Sequence, residues 1–183
     1  AQKRVFEVVR PTAKQFRAEI YPRAEPVVMR GVAERWPLVE AASRSDDDIA
    51  TYLRSHDPGS RVDVLIGDSS IKGKFFYDEG YRGVNFRRAQ KPLAEVLALL
   101  ANAKSGDADD AVYVQATPLS RILPSLTTTL DFPHPPPGVT PMIWIGNAVT
   151  VQTHFDLSQN IACVAGGQRR FTLFPPDQTP NLY

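Results

Sequence analysis

His154-Phe155-Asp156-Leu157-Ser158-Gln159-Asn160 is the stretch on which the reading of this chain turns. On extended backbone, residues i and i+2 point to one face, so His154 and Asp156 can both reach a single cation. A histidine and a carboxylate are two thirds of the 2-His-1-carboxylate facial triad, the donor set that leaves positions open on an octahedral Fe(II). A His-x-Asp tripeptide recurs by chance, so its weight comes from its surroundings.

Those surroundings are β-rich. From Ala111 onward short apolar runs alternate with Pro/Gly punctuation, which predicts strands over Val112–Ala116, Met142–Ile145, Val149–Thr153, Ile161–Val164 and Arg170–Phe174. Asp131-Phe-Pro-His-Pro-Pro-Pro-Gly138 suits neither helix nor central strand and reads as a stiff connector. Tyr113 and Gln115, two residues apart, are expected on one strand face, and Arg169 and Arg170 on opposite faces.

The half before Ala111 mixes helix and strand. Thr12 precedes Phe16 and Ile20 at helical spacing in a run closed by Pro22, and Pro26–Met29 reads as a short buried strand. Ser45 with Asp48 three residues on resembles a capping box for a helix carrying Ile49, Tyr52 and Leu53. Val62, Val64 and Ile66 alternate as on a half-buried strand. The clearest helix carries Leu93, Val96, Leu97 and Leu100, with Pro92 in a favoured first-turn position. A polar, exposed loop is expected from Lys104 to Asp110.

Composition narrows the class. The chain has 183 residues, 43% hydrophobic and 22% charged, with 21 basic against 20 acidic side chains, the profile of one ordinary globular domain. A net charge of +1 gives no clear nucleic-acid signature. No run approaches the roughly 18 apolar residues of a membrane span, so no membrane partner is expected. One cysteine, Cys163, makes an internal disulfide impossible and suits a reducing compartment, hence an expected cytoplasmic location. Sixteen prolines disfavour an all-helical bundle.

Pro141-Met-Ile-Trp-Ile-Gly-Asn147, the stretch from His154 to Asn160 and Gly166-Gly-Gln-Arg-Arg-Phe-Thr-Leu-Phe-Pro-Pro-Asp-Gln178, with Val28-Met-Arg-Gly31 and Trp36-Pro37 before them, resemble the cupin-like branch of the JmjC superfamily. Within that branch they are similar to the asparaginyl hydroxylase acting on hypoxia-inducible factor. The resemblance implies a mixed α+β chain built on a double-stranded β-helix, the jelly-roll or cupin barrel. Residues 1–110 would form an N-terminal α/β flanking region and 111–183 the first part of the barrel. It further implies an Fe(II)- and 2-oxoglutarate-dependent oxygenase that hydroxylates its substrate with release of succinate and CO2. His154 and Asp156 match the first two iron ligands, Asn160 and Tyr113 match residues that hold 2-oxoglutarate, and Gln115 matches a substrate-contacting position. Arg169 stands where the asparaginyl hydroxylase has the lysine that anchors the distal carboxylate.

Three departures accompany the match. Arg169 can clamp a carboxylate with two parallel bonds where lysine offers a point charge. Val151 stands where the hydroxylase has a hydroxyl residue. The family's second histidine ligand follows the HxD motif at a distance, whereas no histidine follows His154 here, so these residues are expected to be part of a longer protein. A protein side chain is the leading substrate expectation, with a small molecule or an RNA base behind it, and the resemblance suggests a homodimer. The rival reading is a cupin-like binding or scaffold protein without turnover.

The remaining distinctive residues have plainer readings. His134 is expected to be a solvated connector residue, and His56 to lie at a helix C-terminus, where positive charge suits the dipole. Trp36 and Trp144 read as packing residues. Cys163 reads as a small inert hydrophobe in an apolar strand.

Overall fold

The computed structural model describes residues 4–103 and 110–182. The N-terminal part opens with β1 (Phe6–Val9), which pairs in parallel with β2 (Val27–Arg30). Between them Thr12 caps α1 (Ala13–Gln15) through a full capping box with Gln15, and the helical run continues through Ile20 into a tighter turn, Tyr21–Arg23, that carries Pro22 and ends one residue beyond it. Glu34, hydrogen-bonded by the Arg10 guanidinium at 2.7 and 2.8 Å, has its carboxyl held below the usual carboxylate range.

Two helices follow. Pro37 occupies the first turn of α2 (Pro37–Arg44), an element the sequence reading did not anticipate. Ser45 then caps α3 (Asp46–Ser55), its Oγ accepting from the Asp48 amide at 3.0 Å, as the Ser-x-x-Asp spacing predicts. His56 is the C-cap of α3, where Nδ1 lies 2.8 Å from Ser125 Oγ.

The scaffold is a four-stranded antiparallel sheet in the order β4-β3-β5-β6, made of β3 (Arg61–Gly67), β4 (Arg87–Pro92), β5 (Ala111–Pro118) and β6 (Met142–Gly146). Along β3 the alternation holds: Val62, Val64 and Ile66 are buried, whereas Arg61 and Asp63 are exposed. Their face, with Val112 and Val114 of β5, packs on Leu93, Val96 and Leu97 of α4 (Leu93–Asn102) and on Leu119, Ile122, Leu123 and Leu126. The last four lie in α5 (Leu119–Ile122) and the helical turn after it. This is the main hydrophobic core, and its apolar burial is the principal force holding the sheet to its helices.

Several expectations are corrected. Val149–Thr153, Ile161–Val164 and Arg170–Phe174 do not form strands; the first contributes a single bridge, Lys74 to Thr150. A strand requires a ladder partner for its backbone groups, and among the described residues none pairs with these segments beyond that bridge; Ile161, Val164, Phe171 and Leu173 remain exposed. The described residues therefore form mixed helices and an antiparallel sheet, not a closed barrel.

His134 is buried, only 4% exposed, because its ring packs on Phe16 and Phe132 and its Nε2 donates to the Pro11 carbonyl at 2.8 Å. Trp36 packs as expected, its indole donating to the Asp131 carbonyl, but Trp144 on β6 is 44% exposed. Cys163 is exposed and outside any strand. The polar loop expected after Ala103 lies outside the described residues as far as residue 109. No helix among the described residues is long and apolar enough to cross a membrane.

Leu93 sits at the start of α4 with no solvent exposure. Leu93→Ala is expected to lower stability by about 2–5 kcal/mol, because it removes buried methyl groups and leaves a cavity beneath the sheet. Urea unfolding followed by tryptophan fluorescence measures this; a loss below about 1 kcal/mol would show that the site collapses around the smaller side chain.

Candidate active site

Strand β5 positions the first candidate residues. Tyr113 pairs with Leu65 on one side and Gly146 on the other, and its ring is 6% exposed, 6.1 Å from that of Phe75. Gly146 is required opposite it: a Cβ there would stand 2.7 Å from the Val112 carbonyl oxygen and 3.0 Å from Tyr113 Cδ2. Just past Tyr113 the β5–β6 register slips between Val114 and Thr117, a bulge in which Gln115 and Ala116 together face one β6 residue and Ala116 takes φ +23°. The bulge sends Gln115 to solvent while Tyr113 stays covered. Gln115, Leu65 and Arg88 line an open groove on the sheet face away from the helices.

The approach to the HxD motif is pinned by contacts that pattern reading did not find. Asn147 Oδ1 accepts from the Val112 amide at 2.9 Å, and its Nδ2 donates to the Asp110 carbonyl at 2.8 Å, fastening the chain leaving β6 to the start of β5. Three residues on, the Thr150 amide donates to the Gly73 carbonyl at 2.8 Å. Gly73 has φ +71°, and a Cβ on it would stand 2.3 Å from the Ala148 carbonyl oxygen, so only glycine permits this approach. An isolated glycine was the available signal, but its partner is 75 residues away in sequence and periodicity cannot supply it.

His154, Asp156 and Asn160 come together. His154 Nδ1 lies 2.7 Å from the Gln152 carbonyl oxygen. A carbonyl only accepts, so Nδ1 carries a proton, and in the neutral ring Nε2 is the lone-pair nitrogen. That lone-pair nitrogen is 3.9 Å from Asp156 Oδ1, while Asp156 Oδ2 accepts a hydrogen bond from Asn160 Nδ2. All three side chains are exposed.

The pair is a candidate half-site for a metal ion. Donors about 2.0–2.2 Å from one octahedral ion and at right angles across it stand about 3 Å apart, so His154 Nε2 and Asp156 Oδ1, at 3.9 Å, would have to draw together by roughly 1 Å to share it. A ring N–H on a backbone carbonyl and a hydrogen-bonded carboxylate are the outer-shell supports that metal ligands ordinarily carry. No group of three histidine, cysteine, aspartate or glutamate side chains suited to a metal occurs among the described residues.

The other candidates stand apart. Arg169 is exposed, its guanidinium 5.5 Å above the Phe171 ring, and Arg170 is exposed as well. Neither is on a strand, so the opposite-face expectation does not apply. Among the described residues no hydrogen bond or ion pair joins Tyr113, Gln115 or Arg169 to His154 or Asp156. The segment carrying Arg169 is anchored just before it, where Ala165 packs against the core and a Cβ on Gly166 would meet Ile49 Cδ1 at 2.9 Å.

A sheet with helices on one face and an HxD pair following its β6 strand is consistent with a cupin-like domain. Residues 13–183 match the model of the cupin-like domain, and the chain belongs to that family. It is 23% identical over 190 residues to JmjC domain-containing protein D of Dictyostelium discoideum, covering 94% of this chain and 40% of that protein. It is 24% identical over 185 residues to the human bifunctional peptidase and (3S)-lysyl hydroxylase JMJD7, covering 94% of this chain and 54% of that protein. The chain thus spans about half the length of the curated relatives it matches.

Gly73→Ala is expected to break the clip that holds residues 148–150, since the added methyl meets a backbone oxygen and φ is positive. Its amide exchange at Thr150 should rise well above that of the parent protein, with little change in the β3–β5 ladder. Unchanged protection at Thr150 would mean that the clip does not hold this segment.

Proposed function

We propose that the protein is an Fe(II)- and 2-oxoglutarate-dependent oxygenase that hydroxylates a protein side chain. The observation that carries this reading is the His154–Asp156 pair, with Nδ1 tied to the Gln152 carbonyl and Nε2 3.9 Å from a carboxylate oxygen, in a chain of the cupin-like family. A hydroxylase among its relatives supports the same class of reaction.

In this reading His154 and Asp156 hold the iron. Gln152 keeps the imidazole in the ligating tautomer, and Asn160 orients the Asp156 carboxylate. Iron with 2-oxoglutarate supplies the oxidising power, and succinate and CO2 are the co-products. Following the resemblance to the asparaginyl hydroxylase, Arg169 and Tyr113 bind the distal carboxylate of 2-oxoglutarate and Gln115 contacts substrate. Asn160 has a second role there, on the co-substrate itself. Arg169 is suited to its part because a guanidinium offers parallel donors to a carboxylate.

The test is an anaerobic titration of the full-length protein with Fe(II) and 2-oxoglutarate, watching the weak visible charge-transfer band of the chelate. The band is expected in the parent protein and absent in His154→Ala. Arg169→Ala should raise the 2-oxoglutarate concentration for half-formation by about tenfold or more, the loss of a charge-assisted pair. A parent protein without the band would sink the oxygenase reading in favour of a cupin-like binding module.

A further inference from the structure

Between β3 and β4 the chain makes a long excursion, and residues 74–85 of it form an ordered hairpin. Tyr77 bridges Val84, the Asn85 amide donates to the Phe76 carbonyl at 3.0 Å, and the Asn85 side chain holds the Phe76 amide and the Lys74 carbonyl. Asp78 builds the turn, its Oδ1 accepting from the amides of Gly80 and Arg82. Phe75 turns inward onto Phe86 and Tyr113. The next aromatics turn outward: Phe76 is 43% exposed, Tyr77 56% and Tyr81 75%.

A well-tied hairpin that leaves three neighbouring aromatic rings in water loses the burial that such rings ordinarily provide. Tyr81 moreover holds φ +54°, a costly conformation for a bulky residue whose ring gains no cover from it. Aromatic and arginine side chains are the residue types that dominate protein–protein binding energy.

The charge around the hairpin is mainly basic. Residues 72–91 carry six basic and two acidic side chains, although within 74–85 Lys74 and Arg82 are matched by Asp78 and the exposed Glu79. Lys91 is paired with Glu95, and Asp78 Oδ1 accepts from backbone amides. Lys72, Lys74 and Arg82 are exposed, and among the described residues none lies within ion-pair distance of a carboxylate. The base of the hairpin is the Gly73–Thr150 clip, so this surface is tied to the segment that leads, four residues on, into His154.

We propose that the 74–85 hairpin is a docking surface for an acidic, aliphatic-rich polypeptide segment, with Phe76, Tyr77 and Tyr81 covering its apolar side chains and Lys72, Lys74 and Arg82 facing its carboxylates. Resting on the oxygenase reading, this segment belongs to the substrate, and docking brings it beside the HxD motif. A nucleic-acid strand is disfavoured by the chain-wide charge balance and by the edge-on packing of Phe76 on Tyr77, 70° between planes, which offers no continuous stacking platform.

The test measures anisotropy of a fluorescein-labelled 15-residue peptide rich in Glu and Leu, added to the full-length protein without metal at low and moderate salt. Its Glu→Gln analogue and a labelled dodecamer of uridine serve as comparisons. The expected result is saturable, salt-weakened binding of the acidic peptide, at least tenfold tighter than either comparison. Lys74→Glu with Arg82→Glu should weaken it at least tenfold and restore affinity for a Lys-for-Glu peptide, which also shows that the variant is folded. Tyr77→Ala with Tyr81→Ala should weaken the peptide without changing its salt dependence.

Equal binding of the Gln analogue, tighter binding of the uridine strand, or no effect of the charge reversal overturns the proposal. A protein that forms the chelate band but ignores the peptide overturns docking alone; one that binds the peptide without the band overturns the oxygenase reading alone.

Discussion

Burial of one face of the antiparallel sheet is the constraint on which the rest of the molecule depends. Val62, Val64, Ile66, Val112 and Val114 are almost free of solvent because α4 and the 119–126 turns cover them. A one-residue slip would turn that whole set outward, so the β3–β5 register is strongly specified. Tyr113, interleaved with Val112 and Val114, therefore faces away from the helices, on the side where the groove and the hairpin lie.

From β5 the structure reaches the HxD pair through a short chain of polar and steric fastenings. Asn147 ties the exit of β6 back to Val112 and Asp110, and the contact between Gly73 and the 148–150 segment ties that exit to the β3–β4 excursion. Beyond these points His154, Asp156 and Asn160 organise themselves through local bonds to Gln152 and to one another. Local bonds thus bring an imidazole and a carboxylate together, while their setting in space depends on distant backbone.

How much was legible follows the range of the signal. The Thr12 and Ser45 caps, the alternation in β3 and the apolar spacing of α4 are short-range patterns, and each marks its element. Strand β4, Arg-Arg-Ala-Gln-Lys-Pro, is invisible to pattern because it lies at the sheet edge with most side chains in water. The segments at 149–153, 161–164 and 170–174 show the opposite failure. Their alternation suits a strand, yet a strand exists only where a neighbour accepts its backbone bonds. His134 was misjudged for a related reason: its proline-rich neighbours suit a solvated connector, and only the packing of Phe16 and Phe132 from two separate segments encloses it.

The amino-acid sequence by itself determined the HxD juxtaposition and the core pattern. An imidazole and a carboxylate two residues apart, and valines alternating along strands, are properties of adjacent residues that no packing needs to reveal. Tertiary structure alone decided that Gln115 is exposed while Tyr113, two residues before it, is covered, that Gly73 meets Ala148, and that three aromatic rings stand together on an exposed hairpin beside exposed cations. These depend on which backbones approach each other across tens of residues, and that is set by the burial of the sheet, a collective property of the folded chain.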